Sequence, residues 1–439
     1  MTVSIYTWSE LSDERRRALL ARSETDIGAV LPAVQRIVDD VRARGDAALR
    51  DYAERFDGAD LSSTALTVSQ AEFDRADERL GAAVKSALQF AVENVRRYHE
   101  IQLTPGMPMQ EIRSGLWAGE RTTPLQSAGL YVPRGRGSFP SMLYMLAVPA
   151  VLAGVRTVVI ATPPAADGTI DDACLYAARL CGVERVVRCG GGQAIAALAY
   201  GTESVPAVAK IVGPGSVYVA AAKRIVAGTV DTGVPAGPSE SIILADATAD
   251  PWKVSLDLLI EAEHGSDSSA LLVTPSRPLA EAVAEIVPEL VATTPDEPEP
   301  RRSFLCDVFS SYGGIILADD IGHAAEIVNQ FATEHLQLQV AEPYDVLGLI
   351  HNAGEILLGE HSVFSLANYA AGANAILPTG GNARSWSPVS VHDFQKRSSV
   401  VHITPHGYRQ MRDHVIALAD YEGFYSHAQA LRRRDESLS

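Results

Sequence analysis

The feature that most constrains this chain is an alternation, beginning at Gly129, of short apolar runs with segments of helical period. Such runs are too short for buried helices. Followed each time by a helix-period segment, they fit a parallel sheet covered by helices on both faces. Strands are expected at Arg156 to Ala161, Arg185 to Arg188 and Ala209 to Val212, with helices at Asp171 to Leu180, Gln193 to Tyr200 and Ser216 to Ala227. These make one α/β unit. A second unit follows, with strands at Ser241 to Ala245, Ala270 to Thr274, Gly314 to Leu317, Leu336 to Val340 and Glu355 to Leu358 and helices between them. The fold class is therefore α/β, built on two parallel sheets.

Ahead of this alternation the chain reads as helical. Leu31 to Ala43 and Ala82 to Tyr98 space apolar residues three and four apart, as in Val84, Leu88, Ala91 and Val95. The Pro- and acid-rich piece Thr293 to Arg302 cannot support a core and reads as a surface loop between a helix and the following strand. Beyond Pro378 the texture turns Gly- and Ser-rich, then helical at Tyr408 to Ala419 and Ser426 to Arg434. That closing piece is expected to be a small extension able to reach a neighbouring subunit.

With 439 residues, 47% of them hydrophobic, the chain can bury two cores and smaller elements besides. Its net charge of -17 argues against general affinity for nucleic acid or anionic membrane, so an anionic ligand has to be met locally. Met1 to Glu10 lacks a charged segment followed by an apolar core, and no stretch approaches the roughly 20 apolar residues that span a bilayer. A cytoplasmic protein is expected. Cys174, Cys181, Cys189 and Cys306 have neither a disulfide-framework nor a zinc-finger spacing and are expected to be buried thiols.

Several motifs sit where strands give way to helices. Gly190-Gly191-Gly192-Gln193, Gly213-Pro214-Gly215-Ser216 and Ala236-Gly237-Pro238-Ser239-Glu240 are glycine-bearing corners, none of them the G-x-G-x-x-G fingerprint. Glycine there lets backbone amides approach a phosphate at a helix start, and it is equally the ordinary choice wherever φ is positive. Glu261 and His264, three apart at the end of the helix Trp252 to Ala262, can grip a metal together or simply end a solvated helix. Glu334 and His335 place an acid and an imidazole just before a strand, at a loop where a ligand crevice would find a proton acceptor and a group to orient water; a polar loop junction reads the same way.

In this order, Gly129-Leu130-Tyr131-Val132-Pro133, GGGQAIAALAYGTESVP, VGPGS, AGPSE, EAEHG, TEHL, NYAAGANAILPTGG and Tyr425-Ser426-His427 resemble the histidinol dehydrogenase family from about Gly129 to about Arg434. The resemblance implies two incomplete Rossmann-like domains. Residues 1–24 and 112–238 would bind NAD. Residues 25–111 and 239–381 would carry metal and catalytic groups, and 382–439 would serve the partner's site in an intertwined homodimer. It also implies oxidation of a small primary alcohol to a carboxylate through a bound aldehyde, in two NAD-dependent steps assisted by zinc. His335 would be the general base and Glu334 the activator of water; Tyr131, Gln193 and Ser216 would contact NAD, with Ser216 standing where the family has asparagine.

The implied metal ligands are Glu261, His264, Asn368 and His427. The family has glutamine at the first and aspartate at the third, so a carboxylate and an amide have exchanged places and the shell keeps two imidazoles, one anion and one neutral oxygen. The implied substrate contacts are Ser239, Glu422, His335 and the metal ligands. Phe364 replaces a glutamate and Ala375 a histidine, which removes polar groups that recognise histidinol. Arg134, Arg136 and Arg384 are candidates for holding an anionic substrate, as in the related sulfopropanediol dehydrogenases, or else contact cofactor phosphate or solvent. The remaining alternatives are histidinol oxidation proper and a silent relative that binds NAD without turnover.

Overall fold

A computed structural model describes residues 1–22, 27–104, 106–134 and 137–434. In chain order the strands are β1 (Ile5–Thr7), β2 (Met109–Arg113), β3 (Leu116–Pro124), β4 (Ser127–Tyr131), β5 (Thr157–Thr162), β6 (Val186–Arg188) and β7 (Lys210–Val212). They continue as β8 (Glu240–Ala245), β9 (Ser269–Thr274), β10 (Gly314–Leu317), β11 (His335–Gln339), β12 (Glu355–Leu358) and β13 (Gln395–Ile403). The chain divides into two compact units: Met1–Leu103 with Leu125–Phe394, and Thr104–Pro124 with Gln395 onward.

The first unit contains both parallel sheets. In the four-stranded sheet, ordered β6-β5-β4-β7, Leu130, Ile160, Val186 and Val212 pack toward the helices Pro140–Leu152 and Asp172–Leu180. Their neighbours Tyr131, Val159, Val187 and Ile211 pack toward Gly191–Tyr200 and Val217–Val226. Each such aliphatic side chain contributes roughly 1.5–3 kcal/mol when fully buried, and burial on both faces explains why these strands read as unbroken apolar runs. The chain leaves β4 for β5 and β6 on one side and returns to β7 on the other. The reversal opens a crevice between β4 and β7 at their carboxyl ends. Gly213 closes it tightly: its φ is +132°, and a Cβ there would lie 2.0 Å from the Tyr131 carbonyl oxygen.

The six-stranded sheet is ordered β1-β10-β9-β8-β11-β12 and is parallel throughout. Ile242, Leu244, Leu336 and Leu338 face the helix Ile321–Phe331, while Ile243, Ala245 and Leu272 face Val254 and Leu258 of the helix Pro251–Ala262. That second helix starts where Pro251 follows Asp250, whose carboxylate accepts the Trp252 N–H. β11 is unlike its neighbours. His335, Gln337 and Gln339 alternate with Leu336 and Leu338, a pattern that ordinarily leaves one face to solvent, yet every residue of β11 is buried. A polar stripe is thus enclosed beneath the helix carrying Asp257 and Glu261, and Gln339 donates to Asp257 at 2.9 Å.

The two sheets and their α/β class match the expectation, whereas the division of the early chain does not. β1 pairs with β10, and Val3 and Trp8 are buried in the six-stranded sheet's cores, so this part of residues 1–24 belongs with that sheet. Conversely, Val34, Val38 and Val41 of the helix Ile27–Arg44 and Leu88, Ala91 and Val95 of Ala82–Glu100 pack with the four-stranded sheet. Residues 382–394 stay with the first unit instead of joining the C-terminal piece. Beyond the loop 294–300, a helix Arg301–Ser311, absent from the sequence reading, precedes β10. Cys174, Cys181 and Cys189 are buried and Cys306 half-buried, all as free thiols.

The second unit is an antiparallel sheet, β13-β3-β2, with the helices Pro405–Tyr421 and Tyr425–Arg432. β13 pairs with β3 along its whole length. Leu418, Tyr421, Phe424 and Tyr425 are exposed on it, Tyr421 to 91%. No helix among the described residues is long and apolar enough to cross a membrane.

Candidate active site

Two sets of candidate residues gather in the first unit. At the carboxyl end of the four-stranded sheet, Tyr131 is buried and its hydroxyl accepts the Gly191 N–H at 3.1 Å, at the start of the helix that carries the buried Gln193. Gly213 leads from β7 to the exposed Ser216, which is the N-cap of Val217–Val226 yet makes no side-chain cap hydrogen bond. Tyr131, Gln193 and the Gly213–Ser216 corner therefore stand around a switch-point crevice, with backbone amides at helix starts that suit a dinucleotide. Lys223 secures the corner from below by donating to the Gly213 carbonyl at 2.6 Å, and burial lowers its pKa to about 8.

The second set lies at the amino ends of β8, β11 and β12, opposite to the carboxyl-end crevice usual in such folds. His335 opens β11, Glu334 immediately precedes it, and both are buried. One Glu334 carboxylate oxygen accepts the Glu240 N–H at 2.9 Å, and the other lies 3.9 Å from His335 Nε2. Glu240 is in turn paired with Arg22 at 2.8 Å.

The helix Pro251–Ala262 runs antiparallel to the strands and so delivers Glu261, in its last turn, to the same edge. His264 lies just past the helix end, not on its face, and the turn His264 N–H to Glu261 carbonyl brings it back. Glu261 Oε2 stands 3.1 Å from His264 Nδ1, and its Oε1 accepts from Asn368 Nδ2 at 2.6 Å. Glu261 and Asn368, the carboxylate and amide expected to share a metal, are thus immediate neighbours.

The electrostatics follow from enclosing so many ionisable groups. Burial pushes the Glu334 carboxyl up to about 8, with Glu261 adding to the shift and His335 opposing it. For His335 burial opposes protonation, but the carboxylates of Glu261, Glu334 and Glu355 outweigh it and raise the imidazole to about 10. Burial likewise works against ionised Glu261, yet His264 and His335 hold it well below the usual carboxylate range. Glu240 is paired with Arg22, while Glu261 and Glu355 face the imidazoles of His264 and His335, so that acids and imidazoles form one strongly interacting cluster. The donor set of Glu261, His264 and Asn368, one carboxylate in contact with one imidazole and one amide, fits a divalent cation of the zinc type. Among the described residues, no three His, Cys, Asp or Glu side chains gather around one point, since the third donor here is an amide.

The remaining candidates are distributed differently. Ser239 is half-buried at the approach to β8. Glu422 and His427 belong to the second unit, where both are exposed and His427 packs on Phe424 with ring centroids 5.1 Å apart. Phe364 is fully buried and meets the His335 ring edge to face, centroids 5.8 Å apart; Ala375 packs against the four-stranded sheet's core. Arg384 is exposed and donates to the Gly381 carbonyl and to the Gln330 carbonyl in the last turn of Ile321–Phe331. Arg134 is exposed, with Asp57 in its field; Arg136 lies outside the described residues. Glu355, whose carboxylate meets His335 Nδ1 at 3.0 Å, escaped the sequence reading. It opens an apolar strand, and only the register of β12 against β11 places it beside the imidazole.

Comparison with known proteins identifies the family and the fold. The family model described as histidinol dehydrogenase matches residues 20–435. A histidinol dehydrogenase of Synechocystis sp. is 47% identical over 430 residues, 98% of either chain. A histidinol dehydrogenase homolog of Rhizobium meliloti is 49% identical over 431 residues, covering 98% of this chain and 94% of its own. The crystal structure of histidinol dehydrogenase from Elizabethkingia anophelis matches with a TM-score of 0.93 at 32% identity, over 100% of this chain and 98% of that one. The chain belongs to the histidinol dehydrogenase family, NAD-dependent oxidoreductases that use zinc.

Proposed function

We propose that this protein oxidises a small primary alcohol, an amino-alcohol or an anionic polyol, to the carboxylate through an aldehyde that stays bound. The observation that carries this reading is the burial of Glu334 and His335 side by side at the edge that also holds Glu261, His264 and Asn368. Bound NAD supplies the hydride acceptor, and bound zinc supplies a Lewis-acid anchor whose charge balances the carboxylate surplus that favours protonated His335. His335 Nε2 takes the hydroxyl proton in the first oxidation. Glu334, held in place by the Glu240 N–H, takes a proton from the water that adds to the aldehyde carbon, and His335, once its first proton has passed to solvent, takes the hydrate's hydroxyl proton as the second hydride leaves to NAD. Tyr131, Gln193 and Ser216 hold the dinucleotide at the other sheet's crevice. Glu261, His264 and Asn368 hold the metal.

His427 is proposed as the fourth ligand and Glu422 as a substrate contact, both from the second unit of a partner copy. The exposed aromatic residues Tyr421, Phe424 and Tyr425 on that unit are a surface such a copy would cover. Phe364 and Ala375 favour a substrate other than histidinol. The test is NAD reduction by zinc-loaded protein with histidinol, sulfopropanediol and other small polyols and amino-alcohols. Turnover should fall by about a hundredfold or more in His335→Gln. Retained turnover in that variant removes His335 as the base, and NAD binding without turnover of any alcohol favours the silent alternative.

A further inference from the structure

Beside the pair that the family resemblance singles out stands a third buried group with no role yet, Glu355. Its Oε2 lies 3.0 Å from His335 Nδ1, and its side chain is 6% exposed. The other oxygen, Oε1, is buried with no hydrogen-bond partner among the described residues. A carboxylate enclosed this way is costly to keep, and its one side-chain hydrogen bond is to the imidazole.

Three features hold this contact in place. His335 and Glu355 are register partners in adjacent parallel strands, so their side chains leave the sheet on the same face. The Glu355 N–H donates to the Glu334 carbonyl at 2.9 Å, and a Cβ on Gly354 would lie 2.6 Å from that same oxygen, so the start of β12 is pressed against the Glu334-His335 junction. Phe364 meets the imidazole edge to face at an interplanar angle of 73°, which limits rotation of the ring.

We infer that Glu355 is a positioning residue for His335: its carboxylate accepts the Nδ1 proton, fixes that tautomer and directs the lone pair of Nε2 toward the reacting alcohol. The inference rests on the reading of His335 as the general base. Free imidazole carries its proton on either nitrogen, and only the Nδ1–H form leaves Nε2 able to take one. With Nδ1–H held by Glu355, the proton leaving the alcohol has one destination, Nε2, on the side where Glu334 lies 3.9 Å away. The arrangement is acid, imidazole and substrate hydroxyl in series, the logic by which a buried carboxylate orients a histidine base in other enzymes.

The test reads the ring itself as well as the rate. Zinc-loaded full-length protein labelled with ¹⁵N-histidine, with the His335 signals assigned from His335→Gln, should show neutral His335 as the Nδ1–H tautomer. In Glu355→Ala it should move toward the Nε2–H form. In the near-isosteric Glu355→Gln the fold should be retained, as judged by Tm. There the loss of one of the three carboxylates facing His335, with Glu334 and Glu261 remaining, should lower the pH at which its signals titrate by about one unit. For any alcohol that the wild type oxidises, kcat should drop about tenfold or more in both variants with KM for NAD unchanged. Unchanged tautomer and titration in folded Glu355→Ala and Glu355→Gln overturn the inference whatever the substrate. A dead Glu355 variant with a wild-type His335 spectrum overturns it too. Activity retained in His335→Gln instead overturns the base assignment while leaving the hydrogen bond as measured.

Discussion

The carboxyl edge of the four-stranded sheet and the amino edge of the six-stranded sheet are built on opposite principles. The first is made of backbone: glycine corners, helix starts, the buried Tyr131 and Gln193, and an exposed serine at a helix N-cap. The second is made of buried ionisable side chains, Glu240, Glu261, Glu334, His335 and Glu355, clustered where the helix Pro251–Ala262 ends. A surface that holds a large, already charged cofactor needs close approach and amide donors. A surface that moves protons and holds a metal needs charges whose burial weakens the fold. The two edges should therefore respond oppositely to neutralising substitutions.

The largest effect is expected at Glu261, the proposed metal donor. Glu261→Gln alone removes the shell's one carboxylate and should weaken zinc binding by roughly a hundredfold or more. Because Glu261 and Asn368 are hydrogen-bonded at 2.6 Å, adding Asn368→Asp restores one carboxylate to the same pair and should recover most of the affinity. Competition with a chelator measures both; additive losses in the double variant would show that the two positions do not share an ion.

The cofactor edge should break sterically. Gly213→Ala pushes a methyl into the Tyr131 carbonyl and forces a strained φ, at a cost of roughly 2 kcal/mol or more in stability and with a raised KM for NAD. Ser216→Ala, by contrast, removes one hydroxyl that no cap requires and should change KM for NAD by only about threefold. Equal effects from the two would place the dinucleotide elsewhere.

The smallest shift, and the sharpest contrast, is one of pH. Burial raises the Glu334 carboxyl from 4.5 to about 8, so the folded protein holds a proton there that the unfolded chain releases. Its destabilising effect is absent below about pH 4.5 and grows until about pH 8. Glu334→Gln should therefore gain stability over wild type as pH rises through that window, even as turnover is lost. Denaturant unfolding at pH 5 and pH 8 checks this, and a constant difference would remove the burial argument.

Sequence alone disclosed the two edges unequally. β8, β9 and β10 were legible because both of their faces are apolar, and a run of buried side chains needs no partner to be recognised. The three-residue β1 is too short to carry a pattern, and β2, β3 and β13 are largely exposed, so no apolar run marks them. β11 is placed by its position in the βα alternation, although its His-Leu-Gln-Leu-Gln pattern ordinarily marks a strand with one solvated face and a helix in fact covers it. Glu261 and Asn368 are 107 positions apart, and Glu355 stands beside His335 only through parallel register, a pairing that neither periodicity nor spacing reports.

The central claim is that one site carries an alcohol through a bound aldehyde to the acid. Its most direct test is the ratio of NADH formed to alcohol consumed by zinc-loaded protein, with the product identified by mass. The account predicts two NADH per alcohol and a carboxylate product; one NADH with free aldehyde released would contradict it.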